Sequence, residues 1–187
     1  MKSILITGGV RSGKSHFAQD LARKSGGPVL FVATATAGDE EMRHRIEAHR
    51  EARPSSWNTL ETTTNIGGQI LKQTFKARII ILDCVTLLIN NIFVQHSGRN
   101  GDRIDALLIE KEVVAEIDEL VRCIDRVEAD FIIVSGEVGL GLVPADRTSR
   151  LYRDLLGKAN QALAQHADEV YLMVAGIPLP VKPARTI

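Results

Sequence analysis

Gly8-Gly9-Val10-Arg11-Ser12-Gly13-Lys14-Ser15 follows directly on the apolar run Ile4-Leu5-Ile6-Thr7. The spacing is G-x-x-x-x-G-K-[ST], set between a strand-like and a helix-like segment, as a polyphosphate-binding turn requires. Gly8 and Gly13 permit backbone conformations closed to other residues, so successive N–H groups can converge on an anion. Lys14 supplies a mobile positive charge for the outer phosphates, and the Ser15 hydroxyl suits an accompanying Mg2+. The helix that follows adds the positive end of its dipole. A glycine-rich turn with a chance lysine is the plainer alternative, but the complete pattern in this context outweighs it. The chain is expected to bind a nucleotide.

Three further positions could do chemistry. Asp83 closes the run RIIILD, where a strand-end carboxylate can approach a phosphate-bound Mg2+; a solvated strand terminus is the alternative. His49 shares a helical face with Met42 and Ile46, which fits a packed, hydrogen-bonded histidine. That plainer reading is the one the residues favour, although a neutral imidazole near a triphosphate is also a competent nucleophile at phosphorus. Arg45, Arg50 and Arg53 around it could neutralise phosphate charge or simply face solvent, and His44 points elsewhere. Glu137, in the loop EVGLGLVP, stands immediately after a strand; it is either a ligand-facing carboxylate or part of a plain connector. Trp57, the only tryptophan, reads as a packing anchor.

The elements that must position these groups alternate between strand and helix, predicting an α/β fold with a mostly parallel sheet. Strands are expected at the amino terminus and over 28–35, 77–83, 130–135 and 169–175. Helices are expected over 14–24, 39–53, 66–75, 86–94, 105–128 and 148–166. The stretch 96–103 reads as a mobile polar link, 136–147 as a glycine- and proline-containing loop, and 178–187 as an irregular tail. In such sheets ligands collect beyond the carboxyl ends of the strands.

The totals narrow the function further. One domain over 1–187 is the simplest reading of this length. Its 23 basic and 23 acidic residues cancel, which gives no electrostatic case for nucleic acid or an anionic membrane. Cys84 and Cys123 are too few for a disulfide framework or a zinc site and read as reduced core residues. The first residues enter a strand and the phosphate loop, unlike a signal peptide, and no apolar run is long enough to span a membrane. A cytoplasmic protein is expected.

Larger blocks carry a family resemblance. They are ITGGVRSGKSHFA, FVATA followed by DEEMRHRIEAHREARPSSW, LDCVTLLINN, SGEVGLGLVP and RLYRDLLGKANQALAQHADEVYLMVAGIPLPVK. Together they resemble the bifunctional adenosylcobinamide kinase/adenosylcobinamide-phosphate guanylyltransferases of cobalamin biosynthesis, over nearly the whole chain. The resemblance implies a P-loop NTPase fold with a RecA-like sheet, a homotrimer, and two reactions. In the first, ATP or GTP phosphorylates the aminopropanol hydroxyl of adenosylcobinamide. In the second, a histidine takes GMP from GTP and passes it to the phosphorylated corrinoid, giving adenosylcobinamide-GDP.

By resemblance the guanylylated histidine falls on His49 and the nucleotide site on Gly8 to Ser15, Glu61 and Asp83, with Ser15 and Asp83 holding Mg2+. The helix carrying His49 is then expected to swing toward the nucleotide. Gly136 stands where the family commonly has asparagine, which brings into question any substrate contact made there. Two other readings remain open: a simple small-molecule kinase with a merely packed His49, and a nucleotide-dependent switch or RecA-like binding module.

Overall fold

In the computed structural model, which describes residues 1–73, 76–96 and 105–183, the chain alternates strands and helices around one seven-stranded sheet. Expectations placed on Phe75, on 97–104, on 184–187 and on the Arg45 side chain lie outside the described residues. The order of elements is β1 (Ser3–Gly8), α1 (Lys14–Ser25), β2 (Val29–Ala33), α2 (Glu40–Glu51), β3 (Asn58–Glu61) and α3 (Ile66–Leu71). Then come β4 (Ile79–Asp83), α4 (Val85–His96), α5 (Ala106–Arg126), β5 (Asp130–Val134), α6 (Arg147–His166), β6 (Glu169–Val174) and β7 (Ile177–Lys182).

The strands lie in the order β3-β2-β4-β5-β1-β6-β7, and only the β6–β7 pair is antiparallel. The central strands are continuous runs of apolar residues because both of their faces are covered. Leu5, Leu30, Val32, Ile80, Leu82, Phe131 and Ile133 face the layer of α3, α4, α5 and α6. Their neighbours Ile4, Ile6, Phe31, Ile79, Ile81, Ile132 and Val134 face α1 through Ala18 and Ala22. Each such side chain, fully buried, contributes about 1.5–3 kcal/mol before chain entropy is counted. On α5, Ile109, Val113, Ile117, Leu120 and Ile124 repeat at three- and four-residue steps and form its buried stripe.

α2 is different. None of its described residues is buried, so it leans on the body rather than forming core. Asp39 caps it by accepting from the Met42 amide at 2.7 Å, and Arg23 of α1 donates to the Ala52 carbonyl at 3.3 Å.

Two edge strands depart from the sequence expectation. β3 is a short polar segment, and β7 takes up residues 178–182 of the expected irregular tail. β7 follows a two-residue turn in which Ala175 and Gly176 have φ of 50° and 84°. Its Pro178 and Pro180 pair with Met173 and Tyr171, and lacking N–H groups they blunt an edge open to another strand.

Candidate active site

The carboxyl ends of β1, β2, β3, β4 and β5 all open on one side of the sheet, and residues 8–15, Glu61 and Asp83 lie there. Residues 8–15 form the turn from β1 into α1. Gly8 and Gly13 have φ of 145° and 95°. A side chain on Gly8 would meet the Met173 carbonyl at 2.6 Å, and one on Gly13 would meet Gly176 Cα at 3.2 Å. Lys14 Nζ donates to the Gly9 carbonyl at 2.6 Å, folding back over the loop. Ser12 Oγ is buried without a hydrogen-bond partner, and no side chain caps the first turn of α1. Open helix amides and an unsatisfied hydroxyl in a concave loop suit a phosphate.

Asp83 ends β4 beside this loop. Desolvation raises its carboxyl pKa; a hydrogen bond from Ser15 and the charges of His49, Arg53 and Lys14 pull the other way. Desolvation likewise lowers the Lys14 pKa, against the opposing influence of Cys84 and Asp83. These couplings place Lys14, Ser15, His49, Arg53 and Asp83 within one electrostatic neighbourhood. Ser15 and Asp83 fit Mg2+: they are hard oxygen donors already in contact. An ion held by two protein oxygens leaves its other positions to phosphate and water, the habit of Mg2+.

Cys84 is a half-buried free thiol rather than a fully enclosed core residue, and desolvation followed by the Asp83 charge pushes its pKa up to about 11.

His49 is exposed, so it is not the packed helix residue that its neighbours Met42 and Ile46 suggested. Next along the same face, Arg53 lies over the Phe31 ring at 3.8 Å with its Nε buried and unpaired. Trp57 packs at the edge of the core facing α1, with the Arg23 guanidinium 5.8 Å from its ring centre. Around the helix, Arg50 donates through Nε and Nη2 to Glu61 Oε1. This pair stands at a cavity of about 560 Å3 lined also by Thr36, Arg43, Ile46 and Thr62. The volume is that of a small-molecule site. Glu61 therefore stands beside the β2–β3 cavity, on the far side of Asp83 from the phosphate loop.

After β5, the Glu137 amide donates to the Gly8 carbonyl at 3.0 Å, while its Oε1 accepts from the Gly139 amide at 2.5 Å. The carboxylate is engaged within its own loop. Gly136 also has a local reason: its amide donates to Thr86 Oγ1 at 2.5 Å, and a Cβ would stand 2.7 Å from that oxygen.

Positioning residues that the sequence reading passed over include Thr34 and Asn91. Thr34 Oγ1 both donates to the Cys84 carbonyl and accepts from its amide, each at 2.8 Å. Asn91 Nδ2 holds the Thr34 and Thr63 carbonyls at 2.9 and 3.1 Å. Their signal was a polar residue inside an apolar run, where burial demands a partner.

A mostly parallel sheet with a phosphate loop after β1 and an acid closing β4 defines a P-loop nucleotide-binding fold. The model of the family "Cobinamide kinase / cobinamide phosphate guanyltransferase" matches residues 4–181, and this chain belongs to that family. It is 39% identical over 180 residues to the bifunctional adenosylcobalamin biosynthesis protein CobU of Escherichia coli, covering 96% of this chain and 99% of that protein. It is 38% identical over 178 residues to the Pseudomonas aeruginosa protein CobP of the same description, covering 95% and 96%. Among solved structures, the RadB recombinase aligns with a TM-score of 0.48 at 14% identity, over 91% of this chain and 73% of that one.

Proposed function

We propose that residues 1–187, as one nucleotide-binding domain, carry out both family reactions on adenosylcobinamide, with His49 as the guanylylated nucleophile. The observation that carries this reading is an exposed His49 in the electrostatic neighbourhood of Asp83, the acid that ends β4 beside the phosphate loop. In the kinase step, the loop amides and Lys14 hold the triphosphate of ATP or GTP while the aminopropanol hydroxyl attacks the γ-phosphorus; the bond to the β-phosphate oxygen breaks, ADP or GDP departs, and the hydroxyl proton passes to solvent. In the guanylyl step, a neutral His49 nitrogen attacks the α-phosphorus of GTP, the bond to pyrophosphate breaks, and GMP remains as a phosphoramidate. A phosphate oxygen of adenosylcobinamide phosphate then attacks that phosphorus and frees His49. Lys14 neutralises charge developing on the departing group in both steps. Mg2+, held by Ser15 and Asp83 when bound, supplies charge neutralisation of the phosphates.

The cavity beside Glu61 is the place for the base. A carboxylate there accepts from the donor edge of guanine, and opening of the Arg50–Glu61 pair frees it to do so. α2 has little buried surface to lose, which suits the swing that brings His49 onto the α-phosphorus. No helix among the described residues is long and apolar enough to cross a membrane. We assign the protein to the cytoplasm, as a homotrimer.

Intact-mass spectrometry after incubation with GTP and Mg2+ tests the reading. The chain should gain one GMP, mapped to His49, and His49→Ala should bind GTP without gaining it. An adduct that survives in His49→Ala removes the histidine from the mechanism. Phosphate transfer with no protein-bound nucleotide at all returns the simple kinase.

A further inference from the structure

The loop between β5 and α6 is tied down at both ends and apolar at its crest. At one end are the Glu137–Gly8 and Gly136–Thr86 hydrogen bonds. At the other, Arg150 Nη1 donates to the Pro144 and Ala145 carbonyls at 2.9 and 2.6 Å. Between them Leu140 and Leu142 are 87% and 96% exposed, and Val143 is 68% exposed. Isolated surface leucines are ordinary. Here they top a loop fastened to the first residue of the phosphate site, and neither belongs to a core cluster. From Val138 to Ala145 no side chain carries a charge, and Arg153 Nη1 of α6 reaches the crest by donating to the Leu142 carbonyl at 3.5 Å.

We propose that the crest at Leu140, Leu142 and Val143 is the docking platform for the corrinoid acceptor, an inference that rests on the function proposed above. Strand order carries the argument. With the base at the ends of β2 and β3, Asp83 on β4 and the phosphate loop on β1, the loop after β5 stands between Asp83 and that phosphate loop. An acceptor must come in line with a phosphorus, and from this side it passes over the crest. A corrin ring is a large macrocycle with methylated edges and a rim of uncharged amides. Its apolar surface matches the leucines, and its amides match the backbone of Gly139 and Gly141. The aminopropanol arm then reaches the nucleotide while the ring stays outside.

The test is the double variant Leu140→Ser/Leu142→Ser, assayed with adenosylcobinamide and GTP, and Leu107→Ser on the exposed start of α5 as reference. The corrinoid KM should rise about tenfold or more, since two apolar contacts are lost. The KM for GTP and the yield of GMP–enzyme adduct should hold. An unchanged corrinoid KM overturns the platform, as does an equal rise in Leu107→Ser. A fall in assembly mass by light scattering with corrinoid KM unchanged also overturns it and assigns the crest to contacts between copies. If the unaltered enzyme does not turn over adenosylcobinamide, the functional reading itself fails and takes the platform with it.

Discussion

The Gly176 amide donates to the Ser12 carbonyl at 3.0 Å, so the tip of the β6–β7 hairpin props the middle of the phosphate loop. The loop is thus held from two sides, by the Glu137 amide on Gly8 and by this turn. Its shape depends on a strand pair far along the chain.

Gly13→Ala should disturb that contact directly. The new methyl would stand 3.2 Å from Gly176 Cα, at a φ of 95° that alanine resists. Strain of this kind costs about 1–3 kcal/mol, enough to weaken GTP binding about tenfold or more. Titration calorimetry reads it, and unchanged affinity would show that the loop and hairpin tip yield without cost.

Asp83→Asn separates the cost of the site from its use. An acid with a raised folded-state pKa binds its proton more tightly when folded. Its stabilising contribution is present in acid and is lost as pH rises from the ordinary value of 3.8 through the raised one. In nucleotide-free, chelator-treated protein, the asparagine variant should therefore resist urea better than the parent at neutral pH. The gap should close toward acid pH, while GTP turnover falls about 10²–10³-fold. A gap independent of pH contradicts the account.

Glu61→Gln should affect recognition far more than stability. Arg50 and Glu61 are each 53% exposed, and exposed pairs contribute about 0.2–1 kcal/mol. Unfolding should shift by no more than that, whereas the preference for GTP over ATP in adduct formation should drop about tenfold, for want of a carboxylate facing guanine. Equal losses with both nucleotides would place the base elsewhere.

Gly136→Asn should destabilise this chain by about 1–3 kcal/mol through overpacking on Thr86. Adding Thr86→Ala removes the oxygen 2.7 Å from the new Cβ and should recover part of the loss. Additive effects in a double-mutant cycle by urea unfolding would disprove the steric coupling.

The buried strands and the phosphate loop were legible because their signals are local. A run such as IIILD or DFIIV has few places to go except a covered parallel strand, and G-x-x-x-x-G-K-[ST] writes its turn into the spacing itself. β3 and β7 were not legible because edge strands bury little. The polar NTLE and the proline-bearing IPLPVK become strands only when β2 and β6 offer partners.

The same division runs through the site. Residue type and order alone marked Lys14, Ser15 and Asp83 as groups able to bind a phosphate and its metal, because charge belongs to the side chain; for His49 they favoured a packed residue, and the family resemblance supplied the nucleophile. Sequence left open whether His49 was buried, whether Glu137 was free and what Gly136 touched. Glu137 is tied up by Gly139 two residues on, in a turn whose shape the residue types do not write. The Gly136–Thr86 contact spans 50 residues, and the exposure of His49 and the desolvation of Asp83 arise only once the sheet has gathered its strand ends.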